Sequence, residues 1–350
     1  MSVGFQAVQW NRAKYIYDAV LIAAVVVYLV GFMGIVATIH PPKSTPEWID
    51  LRIRALGTCA FLMLTIILSI GPLARLNPIF LSLLYNRRHF GVLFFLIACA
   101  HALSMVQWFA VQDALPSLVE ELTAWENYFR FIGFPFKTLG IAALLVFFLM
   151  AATSHDYWLN FLRPPVWKAL HMLVYVAYGL IVIHVALGIM QRDHSAWIPI
   201  MLGASLAWVS GLHIIAGQRE RAGDHGQAPS ADGWLSAGPP GAIPDKRAKI
   251  IAAPGGERIA IYRDGDQVGA LSNLCAHQNG PVGEGCIIDG LVTCPWHGYQ
   301  YRLADGCAPP PFTEKLVTYR VRLRGGAIEV DPRPLPAGTA AAITVPREKM

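Results

Sequence analysis

The first two thirds of the chain is a succession of long apolar runs separated by short polar connections. The six runs lie at 16–39, 52–72, 89–112, 133–153, 166–190 and 196–216. Each reaches or nearly reaches the roughly 20 apolar residues that a helix needs to cross a lipid bilayer. The pattern therefore predicts an α-helical membrane bundle of six transmembrane helices over residues 1–216.

The pattern changes after residue 216. The segment 217–246 is rich in Gly, Pro and charged residues, which is typical of a linker. Beyond it, short runs rich in Ile, Val, Leu and Tyr alternate with Gly-containing turns, as in RIAIYR, GALSNL and KLVTYRVRL. Such runs are typical of β-strands. We therefore predict a small all-β domain at 247–335, followed by a tail at 336–350.

Charged residues are sparse and unevenly placed. They make up 15% of the chain against 55% hydrophobic residues, and the net charge is +5. Soluble domains carry roughly 25% charged residues, and no basic run here indicates binding to nucleic acid. If six helices cross the membrane, one side holds both termini and Arg12, Lys14, Arg75, Arg87, Arg88, Arg163, Lys168, Arg219 and Arg221.

The opposite side holds fewer basic residues in its connections, namely Lys43, Arg130, Lys137 and Arg192. It also holds the acidic segment 113–129, whose apolar residues recur at helical spacing and which is expected to lie on the membrane surface or to dock a periplasmic partner. Because basic connections favour the cytoplasmic side, the pattern predicts a multi-pass membrane protein with a cytoplasmic β domain.

Two short motifs near the end of the chain combine cysteine with histidine. They are Cys275-Ala-His277 and Cys294-Pro-Trp-His297, with sixteen residues between them. Each offers one thiolate and one imidazole on a tight turn, a ligand set that also suits a structural zinc ion. A zinc finger groups its cysteines together and its histidines together, whereas here each half holds one of each. The spacing therefore argues against zinc, which stays the alternative.

The flanking sequences CAHQNGPVGEG and CPWHGYQYRLADG resemble those of Rieske domains, and the resemblance extends over residues 248–330. It implies a [2Fe–2S] cluster with two ligands on each iron. On this resemblance, Cys275 and Cys294 bind the inner iron, and His277 and His297 bind the outer iron near the surface, where electrons enter and leave.

Departures from one branch of that family bear on the cluster potential. High-potential Rieske proteins carry an extra cysteine in each loop, joined as a disulfide, and a serine after the second His-Gly. Gly280, Trp296 and Tyr299 stand at those places here. With fewer hydrogen bonds to sulfur, the resemblance implies a lower-potential cluster of the oxygenase-ferredoxin type. A ring-hydroxylating oxygenase is not expected, because the short remainder of the chain has no room for its mononuclear iron domain.

Two of the apolar runs contain two histidines each, His89 and His101 in the third and His171 and His184 in the fifth. An ionisable side chain inside a membrane is a functional candidate, although a single histidine is often satisfied by a neighbouring polar group. The two histidines of each run are 12 or 13 residues apart, about 18–20 Å along a helix. The four therefore predict two levels, each with the two imidazoles that a b-type haem needs.

The helical wheel favours one of these levels. Steps of 12 and 13 residues separate the two histidines of a helix by about 120–140°, so they do not share one face. His101 and His184, deep in the bilayer, are the stronger prediction. His89 and His171 are the weaker one, because His89 lies beside basic residues at the membrane edge.

Residues 57–190 resemble the ferric reductase-like transmembrane domain, which ferric reductases and NADPH oxidases share. The resemblance is greatest to the haem-binding membrane subunit of the bacterial periplasmic methionine sulfoxide reductase system. It rests on GPLARL, RR-x-x-G and W-x-x-L-H-x-L-V-Y in this order. It implies that His101, His171 and His184 belong to a haem b site. His89 stands where that subunit usually has an apolar residue, so one haem b or two are expected.

The two resemblances together imply a membrane-bound oxidoreductase component. Electrons are expected to pass from a cytoplasmic NAD(P)H-dependent flavin reductase, or a ferredoxin, through the Rieske cluster to haem. From there they are expected to reach a quinone, a periplasmic redox protein or a small-molecule acceptor. The sequence contains no Gly-rich phosphate loop in a βαβ setting, the pattern that would indicate a nucleotide-binding domain within the chain. The alternatives are a stand-alone ferric or quinone reductase and a redox sensor without turnover.

Overall fold

The computed structural model describes residues 12–84, 87–130, 133–154, 162, 164–188, 196–224, 229–277, 279–296 and 298–346. The chain divides into two compact units, one containing Trp10–Ser69 and Arg87–Gly211, the other containing Ile70–Asn86 and Leu212–Met350. The described helices are α1 (Arg12–Ile39), α2 (Thr45–Leu76), α3 (Leu81–Leu84), α4 (Arg87–Val111), α5 (Leu115–Thr123), α6 (Lys137–Ala152), α7 (Pro164–Leu187) and α8 (Trp197–Asp224).

Five of the described helices, α1, α2, α4, α7 and α8, are long and apolar enough to cross a membrane. The fourth predicted run corresponds to α6, which has 16 residues. At 1.5 Å per residue α6 is about 24 Å long, shorter than a hydrocarbon core of about 30 Å. Gly133, with a positive φ of 86°, interrupts the run before α6 begins. The predicted α-helical membrane bundle is confirmed, and the number of six crossings stays a prediction.

Within the helical unit, α2 is central and α1 is peripheral. The most apolar stretch of α2 is 67% buried, against 6% for α1. α6 packs along α7 and against α4, and an edge-to-face contact between Phe94 and Phe147, with ring centroids 4.8 Å apart, fills the latter interface. This packing places α6 in contact with both α4, which carries His89 and His101, and α7, which carries His171 and His184.

The acidic segment 113–129 forms α5 and a short 3₁₀ helix, Trp125–Phe129. None of its residues is buried. Val119 and Phe129 expose 59% and 79% of their surface. Exposed apolar side chains on an amphipathic helix are typical of a segment lying in a membrane interface.

The rest of the chain forms an all-β domain of antiparallel sheets. The sheets have the strand orders β1-β10-β9, β11-β4-β3-β2 with β8 also on β4, and β5-β6-β7. The strands are β1 (Leu235–Gly238), β2 (Ala248–Ala252), β3 (Arg258–Asp264), β4 (Gln267–Ser272), β5 (Cys286–Ile288), β6 (Leu291–Thr293), β7 (Gln300–Arg302), β8 (Thr318–Tyr319), β9 (Val321–Arg324), β10 (Ala327–Val330) and β11 (Ile343–Thr344).

Two strands lie outside the predicted limits of the β domain. In β1, within the predicted linker 217–246, Leu235 pairs with Val330 of β10, and both side chains are fully buried. In the predicted tail, β11 pairs with β4 and Val345 is fully buried. Apolar burial, rather than the Gly and Pro content, decides the structure of these short segments. The domain boundaries themselves stay a prediction.

The end of α8 is tied to the β domain by one carboxylate. Glu220 accepts hydrogen bonds at 3.1 Å from Arg75 at the end of α2 and at 3.1 Å from Arg258 at the start of β3. All three side chains are about 30% exposed, and pairs with this exposure contribute about 0–1 kcal/mol each. The contact is therefore a weak, salt-sensitive connection.

Candidate functional site

The loop that follows β4 closes around Cys275. The backbone N–H of Cys275 donates to the carbonyl of Gly280 at 2.9 Å, and the N–H of Asn279 donates to the carbonyl of Cys275 at 2.7 Å. Asn279 has a positive φ of 56°, a conformation that Asn tolerates better than most residues. These bonds bend the chain into a tight turn that holds the thiol inward.

The loop that follows β6 repeats this geometry around Cys294. The N–H of Cys294 donates to the carbonyl of Tyr299 at 2.8 Å, and the N–H of Gly298 donates to the carbonyl of Cys294 at 2.9 Å. Gly298 has a φ of 71° and stands at the place that Asn279 takes in the first loop. The chain therefore presents two thiols on two equivalent turns.

Gly280 allows the two loops to pack against each other because it has no side chain. A Cβ at this position would lie 2.9 Å from Sγ of Cys294 and 3.1 Å from the Trp296 ring. The sulfur of the second loop thus rests on the backbone of the first. Cys275 and Cys294 are each 1% exposed, and no disulfide joins any of the six cysteines, all of which the structure describes.

The first predicted histidine ligand lies at the edge of this pair. The His277 ring stacks on the Tyr299 ring, with centroids 4.7 Å apart and planes 14° apart, and Nδ1 of His277 is shielded from solvent. The second, His297, lies outside the described residues.

The described residues contain no group of three or more His, Cys, Asp or Glu side chains that could hold a single metal ion. A Rieske cluster needs only two ligands on each iron. The buried thiol pair of Cys275 and Cys294, on twin turns with a side-chain-free position between them, therefore fits one iron of such a cluster. His277 would supply a ligand to the other iron.

A hydroxyl beside the first thiol is a contact that the sequence analysis did not find. The Tyr301 hydroxyl lies 3.2 Å from Sγ of Cys275. Burial raises the pKa of Tyr301, and the Cys275 thiol raises it further, so the phenol keeps its proton and can donate it to the sulfur. A hydrogen bond to a ligand sulfur raises a cluster's potential, so this contact acts against the predicted low potential.

Tyr299 acts differently from Tyr301. Its hydroxyl donates to the Glu314 carboxylate, and the pKa of Tyr299 is raised first by burial and then by that carboxylate. Tyr299 therefore supports the His277 ring through stacking rather than a sulfur through its hydroxyl.

Comparison with known proteins agrees with this geometry. The model of the Rieske [2Fe-2S] domain matches residues 233–320. The chain is 36% identical over 90 residues to the anthranilate 1,2-dioxygenase ferredoxin subunit of Burkholderia cepacia, covering 25% of this chain and 80% of that protein. The chain belongs to the Rieske [2Fe-2S] family.

Two further similarities concern the same Rieske domain. The chain is 31% identical over 83 residues to ferredoxin CarAc of Metapseudomonas resinovorans, covering 23% of this chain and 74% of that protein. Among solved structures, it is 25% identical to a chain of the complex of reduced oxygenase and oxidised ferredoxin in carbazole 1,9a-dioxygenase, with a TM-score of 0.28 and coverage of 29% of this chain and 95% of that chain.

A second family model, described as ferric reductase like transmembrane component, matches residues 54–182. The matched stretch contains His89, His101 and His171 and ends before His184. The chain therefore joins a ferric reductase-like membrane domain to a Rieske domain, and it is a membrane electron-transfer protein. The resemblance to the methionine sulfoxide reductase subunit stays a prediction.

The imidazole of His101 is held by the neighbouring helix α2. Its Nδ1 lies 3.0 Å from the carbonyl oxygen of Ile53. Because a carbonyl only accepts, Nδ1 carries the proton and Nε2 keeps its lone pair. One helical turn further on, Gly57 lies against the ring, where a Cβ would be 3.0 Å from Cε1 of His101.

The imidazole of His184 is held in the same way by α6. Its Nδ1 lies 2.9 Å from the carbonyl oxygen of Phe136, and one turn further on a Cβ at Gly140 would be 2.9 Å from Cε1 of His184. The histidine follows the carbonyl residue by 48 positions in both cases. The α2–α4 pair and the α6–α7 pair thus repeat one structural unit, which the sequence analysis did not detect.

This repeated arrangement fits haem ligation. A metal-bound histidine usually donates its other ring N–H to a carbonyl or carboxylate, which fixes the tautomer and the ring orientation. His101 and His184 both meet this condition. The assignment of His101 and His184 to one haem stays a prediction.

His89 and His171 meet the same hydrogen-bond condition through other partners, since Nδ1 of His171 lies 3.0 Å from the carbonyl oxygen of Trp167 on its own helix. Nδ1 of His89 lies 2.6 Å from a carboxylate oxygen of Asp18 on α1. His171 stacks on Trp167 of its own helix, with ring centroids 3.8 Å apart, and its Nε2 lies 3.4 Å from the Ser154 hydroxyl. These contacts run to different neighbours, and a second haem level stays a prediction.

Proposed function

We propose that this protein carries electrons from a cytoplasmic donor through its Rieske cluster to a b-type haem in the membrane, and from the haem to an acceptor. The observation that carries the proposal is the repeated support of His101 and His184. Each ring donates Nδ1–H to a backbone carbonyl, that of Ile53 in α2 or that of Phe136 directly before α6, so the Nε2 atom of each would be able to bind haem iron.

The Rieske domain supplies the entry point in this proposal. Its curated relatives are named as ferredoxin subunits of dioxygenases, and ferredoxins receive and pass on single electrons. The donor we propose is an NAD(P)H-dependent flavin reductase or a ferredoxin in the cytoplasm. The basic connections predict that the Rieske domain lies on that side of the bacterial inner membrane.

The proposed haem passes the electrons on to the acceptor. We propose that it reduces a quinone, a periplasmic redox protein or a small-molecule oxidant. The exposed apolar side chains of α5 support a location in the membrane interface, where either a quinone or a periplasmic partner has access.

The proposal is tested by the reduction of haem in membranes that contain the full-length protein. NAD(P)H and a flavin reductase are added, and the haem absorbance is followed. His277→Ala, which removes one cluster ligand, is expected to abolish this reduction, while dithionite still reduces the haem directly. Membranes that show no NAD(P)H-driven haem reduction with any flavin reductase would contradict the electron-transfer role and favour a sensor. Reduction of a soluble oxidant without a periplasmic partner would favour a stand-alone reductase.

A further inference from the structure

A lysine is buried beside the haem-binding histidine of the second repeat. Lys137 is the first residue of α6 and follows Phe136, whose carbonyl accepts from His184. Only 8% of Lys137 is exposed, so its ammonium group is enclosed by the protein, whereas lysines near helix ends usually extend that group to water.

The ammonium group is fixed in place on several sides. Nζ of Lys137 donates to both carboxylate oxygens of Glu121, at 2.5 and 2.6 Å. It also lies over the rings of Phe109 and Phe136, 5.5 and 4.8 Å from their centroids, which is cation–π geometry. Glu121 itself is 31% exposed. The pair therefore couples a buried cation to an anion that reaches the solvent.

Helix stability does not explain why a buried lysine stands in the first turn of α6. A cation in the first turn of a helix opposes the helix dipole, and burying it costs further free energy. The first repeat carries a cation at the equivalent position, because Arg54 follows Ile53, whose carbonyl accepts from His101. Both repeats thus place a positive side chain directly after the residue that orients the histidine.

We infer that Lys137 and Glu121 form a charge pair that sets the reduction potential of the haem. In this pair the positive charge of Lys137 favours the reduced state. The inference rests on the proposed function, since it requires haem at His101 and His184. Reduction adds one negative charge to the haem, and a nearby buried cation stabilises that charge because protein screens it less than water does. Glu121 offsets part of this effect.

The test is a redox titration of the haem in the full-length protein. Lys137→Gln leaves Glu121 uncompensated and is expected to lower the potential, whereas Lys137→Arg keeps the charge and is expected to stay close to wild type. Lys137→Arg combined with Glu121→Gln leaves a cation that cannot lose its proton and is expected to raise the potential. Each shift is expected to change the ratio of reduced to oxidised haem about tenfold, equivalent to about 59 mV for one electron.

Matched controls are available on α7 and α5. Lys168 on α7 and Glu120 on α5 are exposed, and Lys168→Gln and Glu120→Gln are expected to leave the potential unchanged. Shifts of opposite sign in the two charge-changing variants support the inference. Shifts of the same sign, a potential unchanged in both, or Lys137→Arg behaving like Lys137→Gln would overturn it. Wild-type protein without haem would instead overturn the proposed function, and the inference with it.

Discussion

The most informative perturbation of the proposed haem site adds one methyl group. In Gly140→Ala, the new Cβ would lie 2.9 Å from Cε1 and 3.0 Å from Nδ1 of His184, whereas ordinary contacts begin at 3.4 Å. The imidazole must therefore retreat by several tenths of an ångström. That movement pulls Nδ1 away from the Phe136 carbonyl, now 2.9 Å away, and turns the ring from the orientation in which Nε2 would bind the proposed haem iron.

The magnitude follows from these two losses. A neutral hydrogen bond contributes about 0.5–1.5 kcal/mol, and displacing a side chain from its rotamer costs about 0.5–1.5 kcal/mol. The sum of about 1–3 kcal/mol corresponds to haem binding weakened about 5- to 150-fold at 1.4 kcal/mol per tenfold. Mutation of a residue that hydrogen-bonds to a metal ligand typically lowers metal affinity about 10–100-fold. This independent range agrees with the estimate for haem.

The assay compares the haem content of Gly140→Ala with that of Gly179→Ala. Gly179 lies on α7, the helix of His184, and a Cβ there meets nothing within 4 Å. The iron–sulfur signal of the same chain serves as an internal count of folded protein. We expect Gly140→Ala to lose haem at limiting haem supply and Gly179→Ala to keep it. Equal haem content in the two variants would refute the reasoning.

Three further predictions concern the Rieske domain. Tyr301→Phe is expected to lower the cluster potential, because it removes a hydrogen bond to sulfur, whereas Tyr299→Phe shifts it less; potentiometric EPR measures both. Gly285→Ala places a Cβ 2.0 Å from a backbone carbonyl oxygen and is expected to prevent stable folding, whereas Gly255→Ala, with open space around it, unfolds at the wild-type temperature in a thermal melt. Glu220→Gln is expected to cost less than about 1 kcal/mol at low salt, and thermal melts in 1 M salt should show no difference from wild type.

The sequence was sufficient for the parts of the fold that depend on local patterns. Apolar length predicted the helices, and the spacing of Cys275, His277 and Cys294 on turns predicted two equivalent loops. Both signals depend on neighbouring residues only, which one sequence displays directly. The apolar run 133–153 predicted a longer helix than α6. Gly133 belongs to that run, but its positive φ keeps it outside the helix.

The supporting contacts could not be predicted in the same way. The bond from His184 to the Phe136 carbonyl joins residues 48 positions apart, and neither Phe136 nor Gly140 looks unusual in an apolar run. Tyr301 is one of several tyrosines, and its role depends on which face of β7 turns inward. The strand β1 was not predicted, because a segment of only four residues among glycines and prolines shows too little periodicity. Long-range packing decides all three.

The central claim is that one chain holds a Rieske cluster together with haem, and the most direct test is EPR combined with iron and haem quantitation on the purified full-length protein. The account predicts a Rieske [2Fe–2S] signal, a low-spin haem with two histidine ligands, and loss of that haem in His101→Ala and His184→Ala without loss of the cluster signal. Protein that contains zinc and no haem would contradict it.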